Sequence, residues 1–228
     1  LIAGADKICF VVSPGKTDIL EYYGGDIGGG SIGCARVAYT VQSHPAGLCD
    51  AIFCALPLVA ANESVMVGLP DTIWYPANAL RALPDDRLAF LLFPVERPEL
   101  FDAVRTDASG HVLAIHVKKR DPGSSWVWGA FRMPGAVLAE LHSLWNERER
   151  RDEYFGTLVN AYLARGGTAV GVRAGTSYVD VGTLHGYRQA IDLLKEAADE
   201  DGDAHLPPEI ARMSQMRERG VIAPRLDR

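Results

Sequence analysis

The sequence predicts an α/β fold in which helices cover a mixed, mainly parallel sheet. Three observations predict it. Short apolar runs without strict alternation, such as Lys7-Ile8-Cys9-Phe10-Val11-Val12, suit strands buried on both faces. Segments with helical patterning separate those runs, which is the rhythm of βα units. Glycine and proline clusters punctuate the joints. The 228 residues are 48% hydrophobic and 23% charged, the balance of a folded chain rather than a disordered or fibrous one.

Taken in order, the first strand covers 7–13 and stops at Pro14-Gly15. A short helix over 18–23 closes at Gly24-Gly25. A strand at 36–41, a helix at 48–60 and a strand at 64–69 follow, the last ending at Pro70-Asp71. A short helix around 78–83 precedes an apolar strand at 88–95. After Glu99 the rhythm changes: strands at 112–118 and 126–133 have only the turn Asp121-Pro122-Gly123 between them. Then come a helix at 134–146, a charged stretch at 147–153 and a helix at 154–165. Short strands at 168–173 and 177–179 lead into a helix at 185–197. The acidic run 199–203 reads as a solvated hinge, with a last helix after Pro207-Pro208.

Charge and composition exclude several functions. The net charge is −6 and no basic stripe exists, so no nucleic acid partner is expected. The longest apolar stretch, 51–61, contains Pro57 and is shorter than the roughly 20 residues a bilayer span needs. The first residues carry no basic segment ahead of an apolar one, so a cytoplasmic protein without membrane attachment is expected. Cys9, Cys34, Cys49 and Cys54 form no CxxC pair and read as reduced, mostly buried thiols. The scattered histidines offer no zinc pair.

Several short motifs carry chemistry. Gly28-Gly29-Gly30-Ser31-Ile32-Gly33 satisfies GxGxxG, but a helix precedes it and a β-rich segment follows, the reverse of a dinucleotide fingerprint, so it reads as a plain glycine loop. Gln42-Ser43-His44-Pro45-Ala46-Gly47-Leu48 joins a strand end to a helix, where ligands gather in α/β sheets. The Gln42 amide can both donate and accept, as reading a base edge requires, and Gly47 would admit a ring closely. A plain loop and helix cap would use the same residues. Asp71, just beyond the strand 64–69, suits either a magnesium ligand or an N-cap. Asp180 repeats the theme in Tyr178-Val179-Asp180-Val181-Gly182-Thr183, a carboxylate at a strand end followed by Gly-Thr opening a helix. Two such carboxylates can share one cation whose other positions go to water and phosphate. Lys118-Lys119, at a strand end, offers charge for a phosphate or a solvated surface.

In this order and spacing, Gln42…Gly47-Leu48, Gly68-Leu69-Pro70-Asp71, Ile115-His116-Val117-Lys118-Lys119, Trp128-Gly129-Ala130-Phe131 and Tyr178-Val179-Asp180-Val181-Gly182-Thr183 resemble the sugar-1-phosphate nucleotidylyltransferases, of the glucose-1-phosphate thymidylyltransferase type. The resemblance runs over roughly residues 1 to 194. It implies a three-layer Rossmann-like sheet and transfer of a nucleotidyl group from dTTP or UTP to a sugar-1-phosphate, with release of pyrophosphate. It also implies roles: Gln42, Pro45 and Gly47 at the nucleobase, Asp71 and Asp180 on Mg2+, Lys118 on the sugar phosphate, and Gly129 and Glu153 at the sugar. Formation of a homo-oligomer is left open.

Departures accompany it. Pro70-Asp71-Thr72 stands where many members have Gly-Asp-Asn, Val117 and Lys119 replace a usual Glu and Pro, and Tyr178 replaces a common Trp. The Gly-x-Gly-Thr-Arg triphosphate loop with which members open has no counterpart, so roughly forty residues of a first βα unit are expected upstream. The expected organisation is a core over 1–198 followed by an acidic hinge and helical tail over 199–228. A nucleotide-binding module without catalysis is the alternative. A glycosyltransferase is a third reading, which would want an Asp-x-Asp motif at a strand end, whereas Asp201-Gly202-Asp203 falls in the hinge.

Overall fold

One long strand organises the sheet of this computed structural model, which describes residues 3–24 and 35–201. That strand is β8 (Trp126–Pro134), and it lies antiparallel to three others. The chain begins with β1 (Lys7–Val12), α1 (Thr17–Tyr23) and β2 (Arg36–Val41), and β1 and β2 form a parallel two-stranded sheet. Next come α2 (Leu48–Cys54), β3 (Ser64–Gly68), β4 (Thr72–Tyr75) and β5 (Leu88–Pro94). A hairpin of β6 (Asp102–Thr106) and β7 (Val112–Val117) leads into β8. After it come α3 (Gly135–Glu147), α4 (Phe155–Ala164), β9 (Ala169–Val172), β10 (Ser177–Asp180) and α5 (Leu184–Asp201). The chain divides into two units, Leu1–Tyr178 and Val179–Arg228.

The six-stranded sheet runs β7-β6-β8-β5-β9, with β3 also on β8. β3, β5 and β6 each oppose β8, β9 runs with β5, and β7 opposes β6. Four strands therefore point one way and two the other. The sheet is mixed, as the sequence predicts, but it is not mainly parallel: only β5 and β9 pair in parallel within it. Its ladder contacts are mostly antiparallel because β8 sits in the middle.

β5 shows why this sequence makes a buried strand. Its first six residues, Leu-Ala-Phe-Leu-Leu-Phe, are all buried. Leu88, Phe90 and Leu92 enter one core, with Phe131, Phe155 and the apolar faces of α2, α3 and α4. Ala89, Leu91 and Phe93 enter the other, with Leu80, Leu83, Trp74 and Tyr178. Successive side chains alternate across the pleat, so both faces must be apolar when both are covered. The Phe131 and Phe155 rings stack at 4.4 Å, tying α4 to the sheet.

The structure differs from the sequence reading in four places. The helix expected over 48–60 stops at Cys54 and gives way to a 3-10 turn at Leu56–Leu58, because Pro57 lacks the N–H an α-helix needs. The expected helix at 78–83 is a 3-10 turn over Ala79–Ala82. β4 and β6 were not predicted. α5 continues to Asp201, so part of the acidic run is helical rather than hinge. The glycine loop at 28–33 and the tail beyond 201 lie outside the described residues, as does Cys34. The other cysteines are free thiols, and burial pushes Cys49 up to about 12. No helix among the described residues is long and apolar enough to cross a membrane.

Within the charged stretch 147–153, Asp152 is buried. Arg148 grips it with two hydrogen bonds, 2.6 Å from Nε and 2.9 Å from Nη2, while its backbone carbonyl accepts from the Trp145 indole. Arg148 is half exposed and can return to solvent, so Asp152→Ala should cost only about 1–2 kcal/mol, read by urea denaturation. No loss of stability would mean that the pair contributes nothing to the α3–α4 connection. That connection matters because it delivers Glu153 and Tyr154 to the site.

Candidate active site at a break in the sheet

β8 has two edges, and their partners leave a gap. β5 occupies one edge from Trp126 to Arg132. β3 pairs with Ala130 to Pro134, so it lies on the opposite edge, the one where β6 meets Val127. β3 ends at Gly68 opposite Ala130, and Pro70, which would stand opposite Trp128 in the same register, cannot donate to a ladder. Among the described residues no strand covers Trp128 and Gly129 on that edge. The break faces the end of β3, the start of β6 and the end of β7.

Each of these strand termini carries a polar residue. Asp71 follows β3 in a turn closed by Thr72 Oγ1 donating to Leu69 O at 2.9 Å. It is exposed and makes no hydrogen bond or ion pair with any described residue. Lys118 follows β7 in the left-handed region, φ 42°, with its N–H donating to Phe101 O at 3.1 Å. Its ammonium lies over the Tyr154 ring, 5.1 Å from the centroid. β7 is itself held by α4: Asn160 accepts from Ile115 N at 2.8 Å and donates to Ile115 O at 2.7 Å. A side-chain amide thus completes the edge of β7 in place of a strand.

Asp102, which opens β6, is a residue that sequence reasoning missed. It pairs with Val117, the residue before Lys118. Burial pushes its carboxyl up to about 6, with the Trp128 indole and the Lys118 ammonium partly offsetting the shift. The Trp128 N–H faces that carboxyl but lies outside hydrogen-bond geometry, and it is a buried donor with no partner among the described residues. The signal in the sequence is slight, a single acidic residue in Phe101-Asp102-Ala103-Val104.

Gly129 is explained by close approach. A Cβ there would collide with the Tyr178 ring and lie 2.8 Å from Phe93. Gly129→Ala should therefore cost roughly 2 kcal/mol by overpacking, measured as a lower denaturation midpoint. Unchanged stability would show that Tyr178 can swing aside freely.

The loop at 42–47 connects to the same region through Glu153. Gly47 has φ 98°, and a Cβ there would lie 2.8 Å from Glu153 O, which accepts from Leu48 N at 3.1 Å. The bare face of Gly47 is thus turned to Glu153. Buried Gln42 donates through Nε2 to Asp50 at 2.7 Å and to Gly47 O at 3.2 Å. Both partners are acceptors, so the amide orientation is set and Oε1 remains as an acceptor. Pro45 is exposed in this loop. Contacts thus run from Gln42 through Gly47, Glu153, Tyr154 and Lys118 to Asp102 and Trp128, next to Gly129. Asp71 stands at the other side of the break.

Asp180 belongs to the second unit. Its Oδ1 accepts from Gly182 N at 2.7 Å, and Thr183 Oγ1 accepts from Gly186 N at 3.0 Å, capping α5 as the Gly-Thr pair predicts. Its Oδ2 takes no hydrogen bond from the described residues. Open carboxylate oxygens at Asp71 and Asp180 are the hard ligands magnesium takes. No three His, Cys, Asp or Glu side chains form a closed cage among the described residues. Each carboxylate, taken singly, fits a cation whose other positions go to water and phosphate.

The fold is shared with solved proteins. A Bacillus anthracis protein assigned as a glucose-1-phosphate thymidylyltransferase, in complex with sucrose, superposes with a TM-score of 0.67 at 21% identity, covering 82% of this chain and 75% of that one. HddC from Yersinia pseudotuberculosis gives 0.61 at 17% identity, covering 84% of this chain and 80% of that one. The model of the nucleotidyl transferase family matches residues 1–197, the span that holds the broken sheet, the Gln42 loop and both candidate carboxylates, and the chain belongs to that family.

Proposed function

We propose that this protein is a magnesium-dependent cytoplasmic enzyme that joins a nucleotidyl group, from dTTP or UTP, to a sugar-1-phosphate. The juxtaposition at the break in the sheet supports this most directly: a cation, Lys118, and an open carboxylate, Asp71, flank the stretch of β8 at Trp128 and Gly129 that no described strand pairs on that edge. Gln42 favours a base edge that donates. Its Nε2 is committed to Asp50 and Gly47, so Oε1 would accept the ring N–H of thymine or uracil, with Pro45 and Gly47 framing the loop. Lys118 would hold the sugar phosphate, and Gly129 and Glu153 would border the sugar.

The reaction needs no protein nucleophile. A phosphate oxygen of the sugar-1-phosphate bonds to the α-phosphorus, the bond from that phosphorus to the bridging oxygen of the β-phosphate breaks, and pyrophosphate leaves. Binding both substrates in line is the chief task of the protein. Asp71 and Asp180 would hold magnesium, which supplies charge neutralisation to the phosphate oxygens when bound.

Pyrophosphate release from the full-length protein tests the proposal, across the common nucleoside triphosphates and a panel of sugar-1-phosphates. Release is expected only when nucleotide, sugar-1-phosphate and magnesium are all present, and fastest with dTTP or UTP. Nucleotide uptake in a calorimeter with no pyrophosphate from any combination would identify a binding module and overturn the proposal.

A further inference from the structure

The break in the sheet holds a polar pair that the roles above leave unused. Asp102 and Trp128 face each other from the start of β6 and the middle of β8, beside Lys118. The Trp128 indole N–H is buried and unpartnered among the described residues. Asp102 Oδ2 lies against the first turn of α4, only 3.2 Å from where a Cβ on Gly156 would stand. Its carboxyl takes no hydrogen bond of normal geometry from a described residue.

We propose that Asp102 and the Trp128 indole N–H form a hydroxyl-recognition pair that selects the sugar attached to the phosphate held by Lys118, a proposal that rests on the nucleotidyltransfer reading for the place of that phosphate. The argument is one of matching capacity. A carboxylate only accepts and an indole N–H only donates. Left alone, each keeps unmet capacity in a buried setting. A hydroxyl satisfies both at once, accepting from Trp128 and donating to Asp102. A phosphate oxygen would suit the indole but be repelled by the carboxylate. A protonated amine would suit the carboxylate but could not accept from the indole, and it would meet the Lys118 ammonium. Sugar hydroxyls fit best.

Nitrogen-15 spectra of the full-length protein test this without turnover. The chain has four tryptophans, and the Trp128 indole signal is assigned by elimination with Phe variants at Trp74, Trp126 and Trp145. The probes are inorganic phosphate, glucose-1-phosphate, galactose-1-phosphate and mannose-1-phosphate. At least one sugar-1-phosphate should move the Trp128 signal, and inorganic phosphate should not. Asp102→Asn should weaken that sugar-1-phosphate by about tenfold or more while leaving inorganic phosphate unchanged. Three results would overturn the pair: no sugar-1-phosphate binds, one binds without moving Trp128, or one binds Asp102→Asn as tightly as wild type. A failed nucleotidyltransfer reading shows differently, as absent pyrophosphate release, and a sugar phosphate can still bind and move Trp128.

Discussion

Asp71→Asn and Asp180→Asn should each lower kcat for pyrophosphate release by about a hundredfold to a thousandfold, with the fold left intact. The structure makes these substitutions clean. Asp71 is exposed and unpaired among the described residues, and its turn is closed by Thr72 and Leu69 rather than by the carboxylate. Asparagine at 180 keeps the Oδ1 acceptor that Gly182 N uses. What each loses is negative charge and one oxygen able to hold a hard cation. Urea midpoints should stay within the small range of surface substitutions, about 0.5 kcal/mol. Manganese binding in the presence of nucleotide, followed by electron paramagnetic resonance, supplies a second readout and should weaken in both variants. Rates near wild type in both would remove the two carboxylates from the reaction.

The position of the site follows from a conflict between pairing and proline. β8 is nine residues long, and β5 covers most of one edge. The other edge is shared by two shorter strands that do not meet. β3 stops at Gly68 opposite Ala130, with Pro70 barring a ladder at Trp128, and β6 reaches only Val127. Polar groups at strand termini face water or a ligand at no cost to a ladder, which is why strand ends serve as binding sites in α/β proteins. The arrangement also places a catalytic candidate, Lys118, where its backbone is fixed by Phe101 while its side chain lies exposed over Tyr154.

Much of this was legible in the sequence, for physical reasons that particular residues make plain. β5 announced itself because both of its faces are apolar. Thr183 announced a helix start because a hydroxyl there can accept from the first turn. β6 did not, since Asp102-Ala103-Val104-Arg105-Thr106 mixes charge with small residues and has no run long enough to read. β4 has only four residues. The contacts of Gly47 and Gly129 were hidden for another reason. Sequence shows that a residue lacks a side chain, and only the fold shows that Glu153 and Tyr178 fill the space. Asp152 looked like one of many surface charges until its burial against Arg148 and Trp145 was seen.

Asp102→Asn should make the protein more stable at neutral pH, by up to about 3 kcal/mol, because the wild-type carboxyl is ionised there in a place that disfavours charge. The sign follows from the direction of the shift. Burial raises the folded-state carboxyl from the ordinary range near 4 up to about 6. Below about pH 4 the group is neutral in both folded and unfolded chains, so it carries no charge penalty. Between about pH 4 and pH 6 the unfolded chain gives up its proton first, and the wild type loses stability as pH rises. Above that window the loss is complete and constant. Asparagine has no such titration and keeps an oxygen facing the Trp128 N–H, and Lys118, being exposed, loses little with its neighbour's charge. Urea denaturation of both proteins from pH 4 to pH 8 should give a gap that opens with pH and levels off above about 6. A gap of the same size at every pH would show that the Asp102 carboxyl ionises alike in folded and unfolded chains, and a gap still widening at pH 8 would show that it stays protonated in the folded one. A carboxylate that weakens the fold at neutral pH while the neutral amide strengthens it is the pattern of a residue kept for a ligand, and the sugar-phosphate titration decides which one.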